Sequence, residues 1–218
     1  MAKNSRLIDF DSEDEARILC KKGFAVYLKR DIRQAIHFYR DALDKDPFST
    51  VAHIALGTCY ADLNEPEKAI KHYRETIRIN PDDLEGNYNL GTMYSKIGQH
   101  KKALRFLRKA LKIDPRFEAA YATLGLTLIE LRQFKEAIKY LKKCIKMSPR
   151  YEDAYLRLAT AFFHLKELEN AMDTLQKAIQ VNPASYEAYQ NLGVLNDKLG
   201  FRAKAENYYS KARKLRKQ

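Results

Sequence analysis

Small and large apolar residues recur at fixed positions along the chain, with a period of 34 residues. Each period contains a leucine followed by a small residue, which is glycine in all pairs but one. The pairs are Leu56-Gly57, Leu90-Gly91, Leu124-Gly125, Leu158-Ala159 and Leu192-Gly193. A large apolar side chain beside a position without a side chain predicts that two helices cross closely there.

Two further positions in each period hold small residues and lie seven residues apart. Residues seven apart share one face of a helix, so they predict a second helix that packs tightly against its neighbours. The first position is alanine throughout, and the second is alanine except where threonine or cysteine replaces it. The two series are Ala35, Ala69, Ala103, Ala137, Ala171 and Ala205, and Ala42, Thr76, Ala110, Cys144, Ala178 and Ala212.

Prolines mark the end of each predicted helix pair. Five of the six prolines keep the same 34-residue interval, and a residue that favours turns precedes each of them. They are Pro47, Pro81, Pro115, Pro149 and Pro183. Proline cannot continue a helix and disfavours helical geometry in the residue before it. A fixed period of this length is typical of a solenoid of helical hairpins.

This pattern resembles the tetratricopeptide repeat (TPR) family. The leucine–glycine pairs, both alanine series, the prolines and the tyrosines at 60 and 94 match its signature, while 128, 162 and 196 depart from the tyrosine position. The tryptophan that is common early in the repeat is replaced by His53, Asn87, Tyr121, Tyr155 and Tyr189. The resemblance implies an all-α fold, a right-handed superhelical solenoid of six helical hairpins whose first helices line a concave face.

The period divides the chain into an array and a preceding segment. We expect six repeats at 16–49, 50–83, 84–117, 118–151, 152–185 and 186–218. Residues 1–15 form an acidic N-terminal segment that includes Asp9, Asp11, Glu13, Asp14 and Glu15.

Composition narrows the class of protein. The 218 residues carry 40 Lys+Arg against 28 Asp+Glu, and the net charge of +12 favours anionic partners. The start of the chain lacks the apolar run of a signal peptide, and no stretch approaches the ~18 apolar residues that span a bilayer. We therefore expect a cytoplasmic protein. Its three widely spaced cysteines, Cys20, Cys59 and Cys144, are expected to be small buried apolar residues.

No pattern of reactive residues predicts catalysis. The five histidines lack the spacing of metal ligands, the carboxylates are scattered, and no glycine-rich phosphate loop occurs. We therefore predict that the protein is not an enzyme and needs no cofactor or metal ion.

The concave face implied by the resemblance is the first candidate site. Its apolar side chains would hold those of a peptide or protein segment, while its amides and cations would bind the segment's backbone or carboxylates. The predicted function is a protein–protein interaction scaffold or adaptor. The predicted contacts are Phe24, Tyr27, Ile54, Tyr88, Asn89, Lys96, Leu126, Ile129, Leu156, Arg157, Phe163 and Asn191.

A basic stripe on the second helices of repeats 3 and 4 gives an alternative function. Cations spaced by three and four residues share one helix face, where they could bind nucleic acid or an anionic membrane surface. The stripe comprises Lys101, Arg105, Arg108, Lys112, Lys135, Lys139, Lys142 and Lys146. A further alternative is a self-assembling scaffold, a homo-oligomer in which the acidic segment of one copy docks on the basic body of another.

Overall fold

The computed structural model describes residues 10–216, and within that range the chain forms twelve α-helices and no strand. It divides into two compact units, Met1–Ile113 and Asp114–Gln218. The N-terminal unit contains α1 (Phe10–Leu28), α2 (Ile32–Lys45), α3 (Thr50–Asp62), α4 (Pro66–Ile79), α5 (Leu84–Lys96) and α6 (His100–Ile113). The C-terminal unit contains α7 (Glu118–Glu130), α8 (Phe134–Met147), α9 (Glu152–His164), α10 (Leu168–Val181), α11 (Tyr186–Lys198) and α12 (Arg202–Leu215).

Consecutive helices pair, which confirms the predicted all-α fold of six hairpins. Within each unit, the second helix of one hairpin also packs against the first helix of the next. The first helices of hairpins 2 to 6 begin at residues 50, 84, 118, 152 and 186. Residues 1–9 of the predicted acidic segment lie outside the described residues, and α1 already begins at Phe10.

The crossing of the two helices in a hairpin explains the glycines of the leucine–glycine pairs. A Cβ atom on Gly91 would lie 2.8 Å from Cγ of Leu107, closer than carbon atoms normally approach. Glycines 23, 57, 125 and 193 face the residue 16 positions later in the same way. The close helix crossing predicted from the sequence is therefore confirmed, and the alanines of the second helix are buried beside it.

The turn inside each hairpin uses left-handed backbone geometry at one fixed position. This residue has a positive φ angle in all six described hairpins, yet it is glycine in only two of them. The six residues are Arg30, Asn64, Gly98, Arg132, Lys166 and Gly200. A left-handed residue of this kind ends the first helix and redirects the chain into the second.

At the position where the family usually has tryptophan, this chain has side chains that end in a polar group, called the polar tip below. In hairpins 2 to 5 this tip lies within hydrogen-bonding distance of the carbonyl oxygen of the proline six residues earlier. The pairs are His53 with Pro47 at 3.3 Å, Asn87 with Pro81 at 3.0 Å, Tyr121 with Pro115 at 3.1 Å and Tyr155 with Pro149 at 3.0 Å. This bond fixes the loop between repeats to the following helix.

Candidate functional site

The first-helix face of the N-terminal unit, formed by α1, α3 and α5, contains a groove of about 490 Å³. Phe24, Tyr27 and Ile54, which were predicted as partner contacts, come together in its lining. Phe24 is 56% exposed, and the neighbouring Val51 is 62% exposed. Apolar side chains this open to water, gathered in a concavity, are typical of an interaction site.

Val51 was missed by the sequence analysis, although the 34-residue period holds a signal for it. The corresponding residue is charged in four of the other five repeats and alanine in the fifth. Those residues are Arg17, Glu85, Ala119, Asp153 and Glu187. Phe24 is a similar departure, because three of its five counterparts are threonine. At Phe24 and Val51 the groove therefore has large apolar residues where most other repeats have a polar one.

Polar groups at the groove hold its two main helices together. The hydroxyl of Tyr27 in α1 donates a hydrogen bond to Oδ2 of Asp62 in α3 at 2.6 Å. This hydrogen bond is the main reason that the pKa of Tyr27 is raised to about 12, so the phenol keeps its proton near neutral pH. Two cations, Arg17 and Lys21, line the groove as well, and Arg17 forms an ion pair with Asp14 at 2.8 Å.

The C-terminal unit has a smaller pocket on its own first-helix face. Its volume is about 220 Å³, and its lining includes the predicted contacts Phe163 and Asn191 together with Ala159 and Leu175. The Lys198 ammonium lies 5.1 Å from the centre of the Phe163 ring, a cation–π distance. This volume suits one side chain of a partner.

The other predicted contacts line neither cavity: Tyr88, Asn89, Lys96, Leu126, Ile129, Leu156 and Arg157. They stay predictions, and two of them already make contacts within the C-terminal unit. Ile129 is only 8% exposed because it packs in the core of the C-terminal unit. Arg157 donates to the carbonyl oxygen of Ala122 at 3.0 Å and pairs with Asp153 at 2.6 Å, so its charge is already engaged.

The basic side chains lie on one helix in each unit. In the N-terminal unit, α6 carries six Lys or Arg residues and no acidic residue, and Lys101, Arg105, Arg108 and Lys112 are exposed. In the C-terminal unit, α8 carries five lysines and one glutamate, and Lys135, Lys139, Lys142 and Lys146 are exposed. All eight predicted stripe residues thus face solvent. The Lys142 ammonium also lies 5.5 Å from the Phe162 ring centre.

Metal ligands, membrane-spanning helices and cysteine thiols are the remaining features that bear on function. Among residues 10–216, no group of three or more His, Cys, Asp or Glu side chains could hold a metal ion. No helix in the same range is both long and apolar enough to cross a membrane. The three cysteines are free and buried, as predicted, and burial raises the pKa of the Cys59 and Cys144 thiols to about 11.

Comparison with known proteins identifies a matching family and several solved structures with a similar fold. Residues 10–217 match the family described as cilia and flagella-associated protein 70 C-terminal domain. A sequence search of curated proteins finds no match. The fold is similar to that of MamA, with 26% identity, a TM-score of 0.69 and coverage of 74% of this chain and 95% of MamA.

Two further solved structures share the fold. PilW, a widely conserved type IV pilus biogenesis factor, is 24% identical, with a TM-score of 0.82 and coverage of 88% of this chain and 90% of PilW. YrrB, a TPR protein with an unusual peptide-binding site, is 21% identical, with a TM-score of 0.67 and coverage of 81% of this chain and 91% of YrrB. The predicted TPR architecture is thereby confirmed.

Proposed function

This chain belongs to the TPR family of the cilia and flagella-associated protein 70 C-terminal domain, and we propose that it is a non-catalytic adaptor that binds a protein segment. The proposed binding site is the groove of the N-terminal unit. The observation that carries this proposal is the exposure of Phe24 and Val51 inside a cavity of about 490 Å³. A TPR array of this kind acts as a scaffold for protein–protein interaction.

The groove favours a partner segment with apolar anchor residues. Phe24, Val51 and Ile54 offer aromatic and aliphatic surface, and burial of such surface supplies about 25 cal/mol per Å². The groove volume of about 490 Å³ lies within the range of about 300–1,000 Å³ that is usual for ligand pockets, so it has room for about two or three side chains. Arg17 is paired with Asp14, and Glu85 adds a negative charge to the lining, so Lys21 is the cation beside which a partner's carboxylate strengthens binding.

The proposal is tested with peptides selected from a random library against the whole protein. We expect the selected peptides to be rich in aromatic and aliphatic residues and to bind more weakly to Phe24→Ala, by about 10-fold or more. The matched control is Phe201→Ala, which removes a phenylalanine of similar exposure, 51%, that lines neither cavity. Calorimetry of each peptide with each variant measures the change in Kd.

The Phe201→Ala control distinguishes binding at the groove from nonspecific hydrophobic binding. Equal weakening by Phe24→Ala and Phe201→Ala means that the peptides bind exposed phenylalanine anywhere, which contradicts the proposal. Selection of peptides without apolar anchors contradicts it as well. The second pocket is tested in the same way with Phe163→Ala, since its volume of about 220 Å³ suits a single anchor.

A second candidate function is binding of phosphate-bearing polymers or surfaces by α6. The observation that favours it is the concentration of six cations without an acid on that helix. Affinity of this kind falls steeply with salt because phosphate contacts release counterions. We compare Arg105→Gln/Arg108→Gln with Lys22→Gln/Lys29→Gln, which removes the same charge from exposed positions on α1 and in the turn that follows it.

The measurement is retention of RNA, DNA or vesicles containing anionic lipid at ~150 mM salt, where charges are screened beyond about 8 Å. Loss of retention in the α6 variant alone supports this function, and Lys139→Gln/Lys142→Gln tests α8 in the same assay. Equal loss in the α1 control shows that net charge, rather than α6, accounts for binding.

A further inference from the structure

Two histidines in hairpin 2, the buried His53 and the half-buried His72, form a hydrogen-bonded pair. Nδ1 of His53 lies 3.1 Å from Nδ1 of His72, and His53 is only 8% exposed. The other ring nitrogen of His53, Nε2, faces the Pro47 carbonyl oxygen at 3.3 Å. A carbonyl oxygen only accepts, so Nε2 of His53 carries the proton and its Nδ1 is an acceptor. The geometry therefore assigns the proton between the rings to Nδ1 of His72.

This pair replaces less titratable pairs in other hairpins. The same two positions hold Tyr121 and Tyr140 in hairpin 4, with ring centres 6.0 Å apart. They hold Asn87 and Phe106 in hairpin 3. Neither combination binds a proton between pH 4 and 7, whereas imidazole does. Hairpin 2 is thus built with ionisable groups at a position that its neighbours fill with groups that stay neutral.

We propose that the His53–His72 pair makes hairpin 2 acid-sensitive, so that protonation of the pair loosens the packing of α3 on α4. A proton has two places to bind. On Nε2 of His72 it leaves the hydrogen bond between the rings but creates a cation in a largely buried site, which costs solvation energy. On Nδ1 of His53 it removes the acceptor and sets two N–H groups against each other.

The surroundings of the pair include charges from three elements. From α2, the Arg40 guanidinium donates at 2.6 Å to the Tyr60 hydroxyl, and the Tyr60 ring stacks on His72. The charges on α4 are those of Lys71, Glu75 and Arg78, and Asp46 precedes α3. The cations oppose protonation of the pair, while the two carboxylates favour it.

Burial is the largest influence on both rings. It lowers the pKa of His53, with the Pro47 bond and Glu75 acting against it. Burial, followed by the nearby His53, Lys71 and Arg40, lowers the pKa of His72 to about 4. Unfolded histidine titrates near 6.5, so the unfolded chain binds more protons between these values. The stability from the neutral pair is therefore complete above about pH 6.5 and is lost as pH falls toward 4.

The consequence for binding rests on the proposed function. Helix α3 carries His53 toward α4 and also carries Val51 and Ile54 of the groove. Loosening of α3 on α4 disturbs the groove, so acid weakens peptide binding. The pH dependence of folding does not require that any peptide binds there, and the two statements can fail separately.

The test copies the pairs of other hairpins into hairpin 2 of the full-length chain. His53→Tyr/His72→Tyr takes the residues of hairpin 4, and His53→Asn/His72→Phe takes those of hairpin 3. Urea unfolding is followed at pH 7.5 and pH 5. We expect the midpoint of the parent to fall by about 1 M between these conditions and that of both variants to fall by less than half as much. An equal fall in all three proteins overturns the proposal.

Nitrogen-detected NMR of the parent decides the proposal if neither variant folds. We expect a proton on Nδ1 of His72 at pH 7.5 and imidazoles that stay neutral at pH 6. A proton on Nε2 of His72 instead, or full titration of both rings above pH 6, contradicts it. If unfolding shows the expected pH dependence but the selected peptides bind equally well near pH 4, where the folded pair takes up its proton, the acid-sensitive pair stands and the groove is not the peptide site.

Discussion

The N-terminal and C-terminal units repeat the same hairpin but present different first-helix faces. In the N-terminal unit the face holds a groove of about 490 Å³ with Phe24 and Val51 in the open. In the C-terminal unit, a pocket of about 220 Å³ remains, and Arg157 bonds across from α9 to the carbonyl oxygen of Ala122 in α7. The repeat spacing therefore fixes the backbone, and the departures from the repeat decide what the surface can bind.

The side chains at the helix crossings also differ between the two faces. In hairpins 1 and 2 the rings of Tyr39 and Tyr73 lie against glycine, whereas hairpin 5 has Leu175 facing Ala159. Leu175 and Ala159 both line the small pocket of the C-terminal unit. Tyr39 likewise lines the groove of the N-terminal unit, so each cavity reaches a helix crossing, with a different side chain at that crossing.

The largest expected effect comes from overpacking a helix crossing of the leucine–glycine type, which occurs in both units. Gly91→Leu adds a side chain whose Cβ would lie 2.8 Å from Cγ and 3.1 Å from the backbone nitrogen of Leu107. We expect the free energy of unfolding to fall by about 3 kcal/mol, at the upper end for overpacking. Urea unfolding measures it, with the exposed Lys101→Leu as control. A loss equal to that of the control contradicts the assigned crossing.

A smaller effect tests why hairpin 5 differs from hairpins 1 and 2. Leu175→Tyr places a ring against the Cβ of Ala159, where other hairpins with tyrosine have glycine. We expect a loss of about 2 kcal/mol from overpacking, of which Ala159→Gly in the same chain restores about 1 kcal/mol or more. Additive effects of the two substitutions, found by a double-mutant cycle of urea unfolding, would show that these residues do not limit each other.

The next prediction concerns Arg157, whose charge is paired on the first-helix face of the C-terminal unit. Arg157→Ala removes a hydrogen bond to the Ala122 carbonyl and the ion pair with Asp153. Because the side chain is partly buried, we expect a loss of about 1 kcal/mol in the free energy of unfolding. Ala55 holds the same place in hairpin 2, which shows that the helix accepts alanine at this position. No loss in Arg157→Ala would mean that the arginine remains available to a partner.

The fold was predictable from the sequence because each constraint repeats. Leucine, glycine, alanine and proline recur at one spacing, and a single chain therefore provides several observations of each position. The left-handed turn residue was not predicted, since Arg30, Arg132 and Lys166 adopt a backbone geometry that their residue types do not favour, whereas asparagine and glycine do. The surrounding helices impose this geometry at every turn.

The candidate site was only partly predictable, because it depends on exceptions to the repeat. Phe24, Tyr27 and Ile54, which the family's geometry implies on the concave face, line the groove, and their contact with a partner stays a prediction. Ile129, which is implied on the same face, is buried in the core, because its packing depends on neighbours in other helices that the period does not specify. Val51 was missed because an apolar residue in an amphipathic helix normally indicates core, and only its charged counterparts in other repeats mark it as exposed.

The substitution with the smallest expected effect on stability is the one that best separates the groove of the N-terminal unit from the pocket of the C-terminal unit. Val51→Glu gives hairpin 2 the residue that hairpins 3 and 6 carry at this position, Glu85 and Glu187. Val51 is 62% exposed and lies in the first turn of α3, where a carboxylate interacts favourably with the helix dipole. We therefore expect the free energy of unfolding to change by less than about 0.5 kcal/mol.

Binding should respond quite differently to the same substitution. A carboxylate in the groove removes apolar contact and must be desolvated under a bound segment, so we expect the selected peptides to lose at least about 10-fold in affinity. Val194→Thr is the counterpart for the pocket of the C-terminal unit, since Val194 lines that pocket and occupies the position of Phe24. Peptides that ignore Val51→Glu but respond to Val194→Thr would transfer the proposed site from the N-terminal unit to the C-terminal unit.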